Sequence, residues 1–172
     1  MANILITGSE GFIGKNLLTH LKYSTNHEVN EFNSNSKMSD LEKLVHKSDF
    51  IYHLAGINRT KNINEFSEIN YGLTKNIFDF ATCKTNKTDI FFSSSTQSDN
   101  RSDYGNSKRK AEKLLLSNKN HKGSIYVSRL PNIFGKWSKP NYNSVVATFC
   151  YNIARNIPVN IFDGEKRIEL LY

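Results

Sequence analysis

Cysteine, long apolar runs and acidic residues are all scarce in this sequence, and each shortage narrows what the chain can be. The two cysteines, Cys83 and Cys150, show no metal-ligand spacing, so the expectation is two buried free thiols and no metal site. No apolar run approaches the ~20 residues of a membrane span, and no basic-then-apolar leader precedes the first apolar stretch. A cytoplasmic protein with no membrane partner is expected. Asn-Arg-Thr at 58–60 and Asn-Lys-Thr at 86–88 match the glycosylation pattern but should be silent without an export signal. Acids number 16 against 23 lysines and arginines, a net charge of +7. From Asn100 to Pro140 there are ten basic residues and only two acids, Asp103 and Glu112. No aromatic-basic interleaving or nucleic-acid reader motif accompanies them. They are read as a solvated basic face that also attracts anionic nucleotides, with no nucleic-acid partner. A hydrophobic content of 38% excludes a disordered chain.

What is present is concentrated at the start. Ile4-Leu5-Ile6 is a continuous apolar run, as suits a parallel strand buried on both faces. Gly8, Gly11 and Gly14 follow in a G-x-x-G-x-x-G spacing, and then comes a helical pattern through Phe12, Leu17, Leu18 and Leu21. Gly8 allows the sharp turn, Gly11 allows a diphosphate to approach the backbone, and Gly14 allows close helix–strand packing. The free N–H groups of the helix start then face the anion. Three glycines alone also suit an ordinary βα turn; the flanking strand and helix favour a nucleotide site.

Further along, strands are expected at His27–Phe32, Asp49–Gly56, Asp89–Phe92 running into Ser93-Ser94-Ser95, and Ser124–Arg129. Helices are expected from the glycine loop to Tyr23, after a Ser39-Asp40 cap, over Tyr71–Cys83 and over Tyr104–Ser117. This alternation predicts an α/β doubly wound parallel sheet, a Rossmann fold, over residues 1–130. Residues 131–172 read as the start of a small substrate-binding region. They comprise a turn-rich Pro131–Gly135 stretch, a helix over Tyr142–Asn156 and strands at Pro158–Phe162 and Lys166–Leu171. The last strand runs to Tyr172 without a closing turn or helix, so the region is expected to be truncated. A missing pocket wall and an open strand edge would then favour self-association and slow turnover.

Tyr104 and Lys108 stand at i and i+4, on one face of a helix. A phenol with a reference pKa near ~10 is too weak an acid to exchange protons readily at neutral pH. An ammonium ~4 Å away, at an effective dielectric of ~20, would favour the phenolate by ~4 kcal/mol, or about 3 pKa units. The same ammonium could bind cofactor ribose hydroxyls. Ser95 ends the fourth strand, where doubly wound folds place ligands, and could hold a substrate carbonyl. A Tyr-x-x-x-Lys spacing alone is common surface decoration; its place after the serine-ended strand makes it specific. His53 reads as a packed strand residue beside the cofactor. At the end of the second strand, Asn33-Ser34-Asn35-Ser36-Lys37 offers neutral donors and a cation in place of an acid. That favours NADP(H) over NAD, although Glu31 would reach the site if the strand ended early.

In this order, the glycine loop, His53-Leu54-Ala55-Gly56, Asn70-Tyr71-Gly72-Leu73-Thr74-Lys75-Asn76, Ser93-Ser94-Ser95, Tyr104…Lys108 and Arg129-Leu130-Pro131-Asn132-Ile133-Phe134-Gly135 resemble the extended short-chain dehydrogenase/reductase superfamily of nucleotide-sugar epimerases, dehydratases and reductases. The segments Phe134–Trp137 and Lys139–Tyr151 look like the reductase domain of the CapF family of capsular-polysaccharide enzymes. In that family an NADPH-dependent domain reduces a 4-keto sugar nucleotide on the route to UDP-N-acetyl-L-fucosamine, and a separate cupin domain epimerises it.

The resemblance implies that Tyr104 protonates the C4 oxygen, Lys108 tunes it and holds the ribose, and Ser95 polarises the carbonyl. It implies cofactor contacts at Gly8, Gly11, Phe12, Ile13, Gly14, Asn33, Ser34, Lys37, Leu54, Ala55, Gly56, Ser93, Arg129 and Pro131. Substrate contacts are implied at Ser95, Asn132, Lys136, Trp137 and Asn143, with packing an equal alternative for Trp137. A homo-oligomer, a dimer in the family, is implied as well. Dehydratases of the superfamily carry an Asp-Glu pair after the catalytic hydroxyl, and one-domain epimerase-reductases carry a Cys. Here Thr96-Gln97 follows, which leaves ketone reduction or C4 epimerisation of a UDP-sugar. A truncated cofactor-binding module without catalysis is the alternative from another class.

Overall fold

The computed structural model describes residues 1–117, 119–161, 164–165 and 167–172. Residues Met1–Arg129 form one compact unit and Leu130–Tyr172 a second. In the first, β1 (Asn3–Thr7), β2 (Glu28–Phe32), β3 (Phe50–His53), β4 (Asp89–Ser95) and β5 (Ile125–Leu130) make one sheet in the order β2-β1-β3-β4-β5. β1 pairs in parallel with β2 and with β3, and β3 with β4. The helices are α1 (Phe12–Ser24), α2 (Met38–Lys47), α3 (Leu73–Cys83) and α4 (Asp103–Ser117).

Alternate residues of β1 feed opposite cores, as a strand buried on both faces requires. Leu5 joins Ile51, Ile90, Phe92 and the helix residues Leu41, Val45, Phe78, Ala111 and Leu115 on one side. Ile4 and Ile6 pack with Leu21 of α1 on the other. Phe78 and Phe92 are fully buried, and each such side chain contributes about 2–3 kcal/mol of transfer free energy. The sheet is therefore covered on both faces, the doubly wound arrangement expected from the alternation. The strand order reverses between β1 and β3, whose last residues, Thr7 and His53, are register partners. That switch point is where folds of this type bind ligands.

Several boundaries differ from the sequence reading. α2 begins at Met38 with Lys37 before it, and no side chain caps it. Ser39 and Asp40 lie inside the first turn, and the Asp40 N–H bonds the Lys37 carbonyl. β3 ends at His53, so Leu54–Gly56 leaves the sheet. α3 is preceded by a π-wound stretch, Phe66–Gly72, that continues directly into it. Cys83 and Cys150 are exposed rather than buried. Cys83 is the last residue of α3, and Cys150 lies on a helix that buries none of its residues.

In the second unit, β6 (Asn132–Ile133) pairs in parallel with β7 (Leu170–Leu171). α5 is shorter than its apolar pattern suggested, Val145–Ile153. Ser144 caps it by accepting from the Ala147 N–H at 3.2 Å, and Asn141 and Asn156, both at positive φ, lie just outside it. Ile157–Ile161 forms no strand, and the expected Lys166–Leu171 strand is reduced to its last two paired residues. Phe162 and Lys166, at the limits of those two expected strands, lie outside the described residues.

Candidate active site

The glycine loop is shaped by contacts that no side chain would permit. Gly8 has φ +73°, and a Cβ there would lie 2.8 Å from the Ala55 backbone; one on Gly14 would lie 2.1 Å from the Gly8 carbonyl. Gly11 is different, since a Cβ would meet only the Gly8 oxygen at 3.1 Å. It precedes α1 with an extended backbone, and no side chain caps the helix. The first N–H groups of α1, from Phe12, Ile13 and Gly14, are thus left without a side-chain cap, and the residue just before them, Gly11, carries no side chain. This is a cradle that fits the diphosphate of a dinucleotide.

Beside the loop, His53 is fully buried and bridges two threonines. Its Nδ1 lies 2.7 Å from Thr7 Oγ1 and its Nε2 lies 2.8 Å from Thr74 Oγ1. Thr74 donates its only hydroxyl proton to the Asn70 carbonyl at 2.7 Å, so His53 Nε2–H is the donor to Thr74. Nδ1 then accepts from Thr7, whose oxygen in turn accepts the Ala55 N–H at 3.2 Å. Burial, and the nearby Lys108 ammonium, push the imidazole down to about 3, so it is neutral. His53 thus fixes the chain from β3 to Ala55, against which Gly8 turns. It is packed, as the sequence reading held, but it also orders the loop.

α4 carries Tyr104 and Lys108 to the end of β4. The Ser95 hydroxyl accepts the Gln97 N–H at 3.2 Å and eases ionisation of the Tyr104 phenol. The Lys108 ammonium is buried, donates to the Ser93 carbonyl at 2.9 Å and lies 4.9 Å from the centre of the Phe92 ring. Gly56 closes the other side: a Cβ there would lie 3.0 Å from Asn70 Oδ1 and 3.1 Å from Lys108 Nζ. Asn70 is locked by accepting from the Ile57 N–H and donating to the Ile57 carbonyl, both at 2.9 Å, and to Ser107 at 3.0 Å. Ser107 donates to the Tyr104 carbonyl at 2.7 Å.

The electrostatics differ from the sequence expectation. Burial pushes the Tyr104 phenol up, with only the Ser95 hydrogen bond opposing. Burial pulls Lys108 down to about 8, against the pull of the Glu112 carboxylate. In this structure the ammonium is tethered to a backbone carbonyl and does not depress the phenol. A dry site charges both groups for ionising, and that cost outweighs the proximity argument.

Of the other predicted residues, Leu54 donates its N–H to the Thr7 carbonyl at 3.2 Å, and Ser93 Oγ donates to the His53 carbonyl at 3.2 Å. Asn33 is used by its own turn: its Oδ1 accepts the Asn35 N–H at 3.0 Å and its N–H bonds Ser36 Oγ at 3.0 Å. Ser34 is exposed and points toward Glu10 at 3.4 Å, and Lys37 is exposed at the start of α2. Glu31 lies within β2 and is paired with Lys22 at 3.0 Å. The Arg129 guanidinium is engaged by Glu112 and Asp99.

In the second unit, Pro131 joins β5 to β6, and Asn132 opens β6. Trp137 has a left-handed backbone, φ 68°, with the Lys136 ammonium 4.4 Å from its ring centre. Asn143 Oδ1 accepts the Lys139 N–H at 2.8 Å. The sequence reading missed Thr7, Asn70, Thr74, Ser107 and Glu112. Asn70 and Thr74 stand at i and i+4 in a quoted motif, and that spacing was the available signal.

The profile of the NAD dependent epimerase/dehydratase family matches residues 4–172. A UDP-2-acetamido-2,6-beta-L-arabino-hexul-4-ose reductase of Pseudomonas aeruginosa is 41% identical over 170 residues, 98% of this chain and 46% of that protein. The crystal structure of the capsular polysaccharide assembling protein CapF of Staphylococcus aureus superposes with a TM-score of 0.83 at 40% identity, over 99% of this chain and 45% of that one. The chain therefore spans about half the length of these relatives. MoeE5 in complex with UDP-glucose and NAD shares the fold, with a TM-score of 0.82 at 20% identity over 98% of this chain and 67% of that one.

Proposed function

This chain belongs to the NAD dependent epimerase/dehydratase family, and we propose that it is the nicotinamide-nucleotide-binding part of a reductase that converts a 4-keto UDP-sugar to the 4-hydroxy sugar with NADPH. The observation that carries this reading is the convergence of Ser95, Tyr104 and Lys108 at the end of β4, beside the strand switch point that the glycine loop borders. The 41% identity to a reductase of a hexul-4-ose nucleotide supports the substrate class.

When bound, the nicotinamide supplies hydride to C4 of the sugar. The residues supply the rest. Ser95 has its oxygen lone pair engaged by Gln97, which leaves its proton for the substrate carbonyl or for Tyr104. Tyr104, protonated because it is buried, is the donor to the C4 oxygen. Lys108 holds a positive charge beneath the site, beside Gly56, and would be the group to hold the ribose hydroxyls. Gly8, Gly11 and the first amides of α1 would hold the diphosphate. Asn33, Ser34 and Lys37 at the end of β2 would receive the adenosine 2′-phosphate, since no acid ends that strand. Asn132, Lys136 and Asn143 are the substrate-side candidates, and cytoplasmic residence as a homo-oligomer completes the reading.

Calorimetric titration with NADPH and NADH tests the cofactor. NADPH should bind more tightly, and tighter NADH binding overturns the phosphate assignment. Adding a 4-keto UDP-sugar to the NADPH-loaded chain while following the reduced-nicotinamide absorbance tests the reaction. Loss of absorbance that depends on Tyr104 is the expected result.

A further inference from the structure

Glu112 is a carboxylate almost without solvent, 4% exposed, on the helix that carries Tyr104 and Lys108. Its partners come from two strands. Ser94 Oγ of β4 donates to its Oε1. Arg129 of β5 donates through Nε at 3.0 Å and through Nη2 at 2.7 Å. The same guanidinium reaches on to Asp99, in the 3₁₀ turn Thr96–Asp99, with Nη1 2.9 Å from Oδ1. These bonds outweigh the effect of burial and hold the Glu112 carboxyl below its ordinary value. A buried charge is costly unless it is fully paired, and this one is paired to the residue next to Ser95. It also lies one helical turn beyond Lys108, whose ammonium it favours.

We propose that Glu112 is a positioning residue of the Ser95–Tyr104–Lys108 site: through Ser94 and Arg129 it fixes the end of β4 against α4, and it is the buried counter-charge of the Lys108 ammonium. This rests on the reading of Tyr104 and Lys108 as the reactive pair. Among the described residues, the groups named around the ammonium include no other anion. On its own helix it faces Tyr104, which is protonated, and Glu112; on β3 it faces His53, which is neutral. On β4 it meets the Ser93 carbonyl and the Phe92 ring, and beside Gly56 the Asn70 amide. Arg129 is bonded to Glu112, and its charge has the opposite sign to the carboxylate's.

The test is the titration of Lys108 in the 172-residue chain, read from its ¹³Cε resonance, assigned by comparison with Lys108→Arg. Glu112→Gln should move the Lys108 midpoint down by about one pH unit, because an opposite charge is lost. Arg129→Gln should move it up, because a like charge is lost and Glu112 is left unneutralised. Both variants lower Tm. A purely structural role would lower Tm while leaving both midpoints unmoved, or moved in the same direction, and either result overturns the proposal. If Glu112→Gln does not fold, Arg129→Gln alone decides: an unmoved or lowered midpoint sinks the idea. NADPH titration of the same samples separates the two readings. Wild-type chain that fails to bind NADPH defeats the proposed function, whereas the Lys108 midpoints judge Glu112 regardless.

Discussion

The Lys108 ammonium donates to the Ser93 carbonyl at 2.9 Å, two residues before Ser95 on the same strand. The hydrogen bond joins α4 to the end of β4, and it means that the charge and the hydroxyl of the site share one piece of backbone. Whatever displaces that strand end displaces both.

Tyr104→Phe should remove the proton donor and little else, since the ring, 6.0 Å from that of Phe66, is kept and only the hydroxyl is lost. Turnover of a 4-keto UDP-sugar should fall by at least ~100-fold. NADPH affinity, measured by calorimetry, should stay within about three-fold, on the order of 0.6 kcal/mol. A variant that kept most of its turnover would remove Tyr104 from the mechanism.

Lys108 should make stability depend on alkaline pH. Its folded value is lowered from 10.5 to about 8, so between those values the unfolded chain holds more protons than the folded one. Stability therefore rises with pH across that window, by up to ~1.4 kcal/mol per unit from this group. Urea unfolding from pH 8 to 10 should show the rise in the wild type and its loss in Lys108→Met. Equal slopes in the two proteins would contradict it.

His53 makes the acid side. Its value falls from 6.5 to about 3 on folding, so the unfolded chain takes up the extra proton first as pH drops. The stability it contributes is complete above pH ~6.5 and is lost toward pH ~3, by up to ~1.4 kcal/mol per unit. A proton on Nδ1 would face the Thr7 hydroxyl donor-to-donor. His53→Gln should flatten the profile between pH 6 and 4.5, with denaturant midpoints as the measure.

The glycines should separate stability from binding. Gly14→Ala drives a methyl into the Gly8 carbonyl, 2.1 Å away, and should cost about 3 kcal/mol or more. Gly11→Ala meets only one atom at 3.1 Å and should leave Tm within about 3 °C. It nevertheless places a methyl where the diphosphate approaches, so NADPH affinity should fall about ten-fold or more, ~1.4 kcal/mol. Tm by calorimetry and Kd by titration on both variants test the pair.

How much was legible follows from where each signal lives. The glycine loop, the apolar strands and the Tyr104–Lys108 spacing are local patterns, and local patterns survive in a bare sequence. The bonds that tune them run between distant residues: Thr7 to His53, Ser107 to Asn70, Ser94 to Glu112. Polar residues in such pairs follow no period, so nothing along the chain marks them. The error over Tyr104 has the same origin. Spacing placed the ammonium near the phenol, but the Ser93 carbonyl that holds it, and the dryness that raises the phenol, belong to tertiary structure. In the second unit the apolar runs suggested strands and a longer helix. Apolar character promises burial somewhere, not a hydrogen-bonded partner strand, and Ile157–Ile161 has none among the described residues.

The wide turn at Phe66–Gly72 sets how this chain tolerates gained or lost residues. It takes one residue more than α-winding would need, and it holds Asn70 in contact with Ile57 and Ser107. Deleting one residue there would restore ordinary winding but rotate everything on one side of the cut by about 100°. Asn70 or Thr74 would swing away, and with it the support for Tyr104 or for His53. A length change in the mostly exposed stretch just before it, Arg59–Asn64, should disturb neither bond. Indels should therefore be confined to that loop, with the seven-residue π-wound stretch holding its length even where its letters change.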